Sequence, residues 1–144
     1  NVRVALMRFG LVMGGDGGAL AKMLPAFQWY VGGPLGNGRH FMPWIHIEDL
    51  IRAFDFVMSH PEADGPFNCC APHPERNEDF TRTLGQVLHR PTFFRVPRFA
   101  LRLTMGELAD VMLASQRAVP KRLQALGFDF EYPRLHGALS DLLG

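Results

Sequence analysis

The sequence has no glycine loop of the G-x-G-x-x-G or G-x-x-x-x-G-K-[ST] spacing, so it offers neither a dinucleotide cradle nor a P-loop. Its only tyrosines, Tyr30 and Tyr132, are followed four residues on by Pro34 and His136. A tyrosine–lysine proton-transfer pair is therefore not encoded. The six histidines never fall at i, i+4 on one helix, and no C-x-x-C occurs, which removes the usual zinc spacings. Ser59, Ser115 and Ser140 sit in no elbow or triad-like setting, as a hydrolase nucleophile would. No catalytic residue and no metal ligand can be assigned.

Charge of one sign is also scarce. A net charge of +1 gives no footing for nucleic acid or an acidic membrane surface. No apolar run approaches the roughly 20 residues of a membrane span, and no signal-peptide pattern opens the chain. The two cysteines, Cys69 and Cys70, are adjacent, where disulfide geometry is hard to meet. They read as small buried hydrophobes of a strand, and a reducing, cytoplasmic compartment is expected.

What is present is an ordinary globular composition, 144 residues at 47% hydrophobic and 20% charged. The chain opens on Asn1-Val2-Arg3-Val4, already strand-like and without methionine, so a piece of a longer protein or a processed chain is expected. Its centre is Met42-Pro43-Trp44-Ile45-His46-Ile47-Glu48-Asp49-Leu50. A short apolar run there leads into Leu50, Ile51, Phe54, Val57 and Met58 at helical spacing, with an acidic residue expected to cap the helix from about Asp49. The glycine-rich loop 32–38 precedes it.

Upstream, Val2, Val4 and Leu6 alternate and Phe9 to Met13 is almost wholly apolar, which predicts a buried strand running into a loop. Gly14–Gly18 reads as a flexible connector rather than a phosphate loop, and Pro25 should kink or shorten the helix that follows. Downstream, residues 66–71 predict a second buried strand; strands separated by helical segments imply parallel pairing and an α/β fold. Asn77 is the expected N-cap of a helix with Phe80, Leu84, Val87 and Leu88 on its apolar face, ending at His89-Arg90-Pro91. A soft boundary there divides 1–90 from 91–144. The second part should hold a short strand Thr92–Val96 and a helical stretch Phe99–Leu113 broken at Gly106. A helix bracketed by Pro120 and Gly127 should follow, then extended residues 128–130, then a final amphipathic helix through Leu135, Ala138, Leu139 and Leu142.

Three groups stand out chemically. His46, flanked by isoleucines, reads as a hydrogen-bonded structural residue, with general acid or base as the alternative. Arg8, in an apolar strand, must be paired if buried; an ion pair is the first reading and cofactor contact the second. Arg117, Lys121 and Arg122 read as a solvated face, with an anion site as the alternative.

Met7-Arg8-Phe9-Gly10-Leu11-Val12-Met13-Gly14 resembles the "LR-x-x-N-V-Y-G" strand and loop of extended short-chain dehydrogenases/reductases. Gly36-Asn37-Gly38 with Trp44–Leu50 resembles their "G-D-G … F-V-H-V-D-D" segment, and Gly65-Pro66-Phe67-Asn68 their "G-x-Y-N" strand. Gly32–Gly36, Pro43–Ile47, Ser115–Leu123 and Gly127–Phe130 resemble more narrowly an NAD(P)-dependent, sugar-nucleotide epimerase-like subfamily. That subfamily ends in a small C-terminal domain of unknown function.

The resemblance implies the C-terminal part of a doubly wound, Rossmann-like parallel sheet plus a small α+β substrate-side and C-terminal domain. Its partners would be a small-molecule substrate and an N-terminal Rossmann half carrying the NAD or NADP loop. Phe9, Gly10, Leu11 and Val12 would border the nicotinamide through backbone groups; Arg39, Met42, Trp44 and His46 would line the substrate side. Leu11 stands where epimerases carry Asn, and Met42 where they carry a diphosphate-clamping Arg, so a nucleotide sugar is disfavoured unless Arg39 substitutes. The resemblance predicts the substrate-side half of an oxidoreductase or epimerase, or alternatively a non-catalytic binding module on the same fold. The chain alone is expected to self-associate, most simply as a homodimer.

Overall fold

The computed structural model describes residues 2–15, 18–107 and 117–143. Part of the Gly14–Gly18 connector, the end of the Phe99–Leu113 stretch and Ser115 therefore lie outside the described residues.

Strand β1 (Ala5–Phe9) pairs in parallel with β5 (Gly65–Cys69), Ala5 opposite Gly65 and Phe9 opposite Cys69. Two parallel strands need a crossover, and helix α2 (Ile47–Ser59) lies in the chain between them. Its Ala53 and Val57, with Ile45, Phe67 and Cys69, form a core cluster on one side of the pair. Arg3 caps the far end of α2, donating to the carbonyls of Val57, His60, Ala63 and Met58 at 2.8–3.0 Å. These carbonyls lie at and just beyond the helix C-terminus, where a cation complements the dipole.

The expectation of a buried first strand is corrected. Val2, Val4, Leu6 and Phe9 are all at least half exposed, because β1 has no strand on its second edge among the described residues.

The apolar stretch also breaks at Gly10. A Cβ there would lie 2.5 Å from the Pro43 carbonyl oxygen, so only glycine lets the two backbones approach. Beyond it β2 (Leu11–Met13) forms a separate parallel ladder with β4 (Trp44–His46). The short strands β3 (Phe41–Met42) and β6 (Glu75–Arg76) pair antiparallel nearby.

Helix α1 (Gly18–Gln28) continues past Pro25 for three residues and buries Leu20, Met23 and Phe27 on both sides of it. Helix α3 (Asn77–Leu88) buries Phe80 and Leu84 and stops at left-handed His89. Asn77 is not its side-chain cap. The Asn77 carboxamide, fully buried, instead accepts from the Leu35 amide at 2.6 Å and donates to the Met42 sulfur at 3.0 Å.

Residues 92–96 form no strand; flanked by Pro91 and Pro97, only Val96 bridges, to Leu35. Helix α4 (Arg98–Met105) ends at Gly106, φ +59°. Helix α5 (Lys121–Ala125) is bracketed by Pro120 and Gly127 as the sequence predicts. Residues 128–130 join no ladder.

Helix α6 (Leu135–Leu143) packs Leu135, Ala138 and Leu139 against Met13, Trp44, Phe80 and Leu84. Residues from both sides of position 90 thus share both core clusters. Among the described residues no helix is long and apolar enough to cross a membrane.

Candidate functional site

The β2–β4 ladder brings the two groups of candidate residues together. Leu11 lies opposite Trp44, Val12 opposite Ile45 and Met13 opposite His46, and the Leu11 amide donates to the Pro43 carbonyl at 2.8 Å. Phe9 and Gly10 are exposed at the carboxyl end of β1, the end of a parallel sheet where doubly wound folds take their ligands. Met42 and Trp44 are buried in the core of this chain. The Trp44 indole Nε1 is buried without a hydrogen-bond partner among the described residues. Arg39 is exposed on the loop before β3, where its amide donates to Asn37 at 2.9 Å and its carbonyl accepts from Arg76 at 2.8 Å.

His46 is the N-cap of α2. Its Nδ1 accepts from the Glu48 amide at 3.0 Å, which puts the ring proton on Nε2, where it is donated to Asp141 at 2.9 Å. The Tyr132 ring stacks on it with centroids 4.0 Å apart. Both ring nitrogens are thus engaged with the protein.

The acidic cap expected of Glu48 or Asp49 is corrected: histidine supplies the cap, and the helix starts at Ile47. Asp49 is fully buried and serves a distant segment. It accepts from the amides of Glu131 and Tyr132, each at 2.9 Å, and from Arg52 at 2.8 Å. Sequence reasoning missed Asp141 and the structural use of Tyr132. They lie 95 and 86 residues from His46, beyond any local pattern.

Burial and the Asp141 hydrogen bond push the Tyr132 phenol up to about 12. Burial raises the Cys69 and Cys70 thiols from 9.0 to about 11, with Cys70 adding repulsion at Cys69; both are free thiols. A group held protonated by folding contributes stability below its unfolded pKa and loses it as pH rises through the folded one. The urea midpoint, measured under reducing conditions, should hold steady below pH 9 and then fall as pH approaches 11. A midpoint unchanged to pH 11 would show that the thiols are not buried as described.

Arg8 is exposed and makes no ion pair among the described residues, so the expected pairing is not found. It borders a hollow of about 380 Å³ with Asn68, Arg117, Lys121 and Arg122, all exposed. Arg122 is tied down by the Pro66 carbonyl at 2.8 Å and lies 4.2 Å over the Phe67 ring.

The fold is α/β, and its small parallel ladders with covering helices are those of the C-terminal region of Rossmann-like epimerases and extended short-chain dehydrogenases/reductases. The particulars agree. Over 143 residues the chain is 47% identical to an epimerase family protein of Staphylococcus epidermidis, covering 99% of this chain and 48% of that protein. A Staphylococcus aureus epimerase family protein is 44% identical with the same coverage. The chain thus spans about half the length of these curated relatives.

Its structure superposes on human epimerase family protein SDR39U1, solved with NADPH, at a TM-score of 0.91 and 34% identity. The match covers 98% of this chain and 48% of that one. The nucleoside-diphosphate sugar epimerase of Corynebacterium glutamicum follows at a TM-score of 0.73 and 30% identity, covering 99% and 26%. Residues 96–142 match a domain of unknown function, DUF1731. The resemblance to the C-terminal half of an extended short-chain dehydrogenase/reductase is borne out in sequence and in fold.

Proposed function

We propose that this chain is the substrate-side half of an NAD(P)-dependent oxidoreductase or epimerase-like enzyme. The observation that carries the reading is the register of Leu11–Met13 against Trp44–His46, just past the exposed end of β1 at Phe9 and Gly10. A structure of the same fold at a TM-score of 0.91 was solved with NADPH. Phe9, Gly10, Leu11 and Val12 fit the edge of a nicotinamide. They are accessible or half-buried at a strand end.

Once bound, the dinucleotide supplies hydride exchange. The chain's own residues shape the substrate side. Trp44 and His46 are buried and back that side rather than face it, with His46 held by Glu48 and Asp141, and Arg39 is its exposed cation. Leu11 and Met42 offer a diphosphate no charge-assisted bond, and the Met42 sulfur is already taken by Asn77. A small, fairly apolar carbonyl or hydroxyl compound suits this side better than a nucleotide sugar.

The 144 residues alone should show no turnover and no tight dinucleotide binding, because the pyrophosphate loop and the Tyr-x-x-x-Lys pair are not encoded. Calorimetric titration with NADPH and NADH checks this. Micromolar binding by the chain alone would overturn the division of labour and reopen Gly14–Gly18 as a phosphate loop.

A further inference from the structure

An apolar cavity lies apart from the β2–β4 wall. One side is α1, through Met23 and Phe27; the other is the segment around Phe94 and Val96, with Trp29 at the rim. Its floor is built by main chain. The Val96 amide donates to the Pro34 carbonyl at 2.8 Å and the Gly36 amide to the Val96 carbonyl at 2.9 Å. A Cβ at Gly33 would fall 1.4 Å from the Phe94 carbonyl oxygen, so glycine is required for this approach. The space measures about 680 Å³, within the range of small-molecule sites.

Among the described residues two charged side chains line it, Lys22 and Arg95, and both are cations. The Arg95 guanidinium is oriented by a 2.7 Å bond from Nη1 to the Gly36 carbonyl, which leaves its other N–H groups to donate. An apolar body needs only the walls, while an anionic head needs a cation at the rim.

The geometry points to a site for an amphipathic acid, an apolar chain or ring carrying a carboxylate. This site is separate from the β2–β4 side proposed above and does not rest on that reading; the binding is tested without cofactor or turnover.

The chain would be titrated with decanoate, decanol and decylamine below their aggregation limits, by calorimetry and by tryptophan emission. Trp29 is 78% exposed and Trp44 is 1% exposed, so dehydration of Trp29 dominates any blue shift. Decanoate should bind saturably, about tenfold tighter than decanol, the worth of one charge-assisted bond, with decylamine weakest. Arg95→Gln should erase the preference for acid over alcohol. Ala26→Trp, which fills the cavity, should abolish binding of both. Lys22→Gln is the second charge variant, and unfolding curves check that each variant folds.

Equal affinity for acid, alcohol and amine would overturn the inference, as would undiminished binding in folded Ala26→Trp. Decanoate binding here, with no dinucleotide binding by a longer relative, would sink the enzymatic reading and leave this site standing. The reverse result would remove this site alone.

Discussion

Replacing Asp49 by alanine should cost about 2–5 kcal/mol of folding stability, the loss of a fully buried carboxylate that serves two amides and the half-exposed Arg52. The carboxylate is fully buried and takes three hydrogen bonds at once. It is a residue of the first turn of α2, the acceptor for two amides of the segment 131–132, and the partner of Arg52. Without it the Glu131 and Tyr132 amides lose their acceptors, and each orphaned donor costs about 1–3 kcal/mol.

Small domains hold only about 5–15 kcal/mol in total, so this one change consumes much of the margin. Asp49→Asn keeps one carbonyl oxygen but turns an NH2 toward a donor, and should lose part of that. Urea unfolding measures the cost, and hydrogen exchange at residues 131 and 132 locates it. A loss below about 1 kcal/mol, the worth of an exposed pair, would contradict the buried network.

A protein of these 144 residues alone should not stay monomeric. Strand β1 pairs with β5 on one edge and with nothing described on the other, and Leu6 and Phe9 beside it are half exposed. Such an edge is a template for another chain, and two strands alone make a marginal sheet. A two-fold pairing of β1 with its copy is the simplest closed arrangement. The Val4 carbonyl bonds Gly65, so by alternation the amides of Ala5 and Met7 point to the open side. Ala5→Pro removes one of them without touching the ladder to β5, and should shift the protein toward monomer. Light scattering after size exclusion reads the mass. A dispersed monomer of the unmodified chain would mean that the edge is covered in solution.

The elements were largely legible where one short window holds the information. The apolar spacing at Phe80 and Leu84 located α3, and Pro120 and Gly127 bracketed α5. The caps were not legible. Asp49 and Asn77 are good capping residues by type, but their oxygens go to amides of residues 131–132 and of Leu35. Those partners are 42 to 83 residues away in sequence, and a buried or half-buried amide without an acceptor outbids a cap that the helix end can replace with histidine or water. The alternation of Val2, Val4 and Leu6 points to a strand, but the strand begins only at Ala5, and exposure depends on what lies beside it. Around the candidate site, the motif residues Trp44 and His46 were found. The Asp141 that holds His46 was not, because no local pattern links α6 to β4.

The pairing of β1 with β5 bears on the order of folding. Every partner along that ladder stands 60 residues further on, as do the anchors tying Arg3 to Ala63 and Val4 to Asp64. Closing so long a span costs chain entropy before any ladder bond repays it. The helices and the β2–β4 ladder between can form first and shorten the gap. The strand synthesised earlier must therefore wait, its edges open, until the later one has been made and α2 has folded between them.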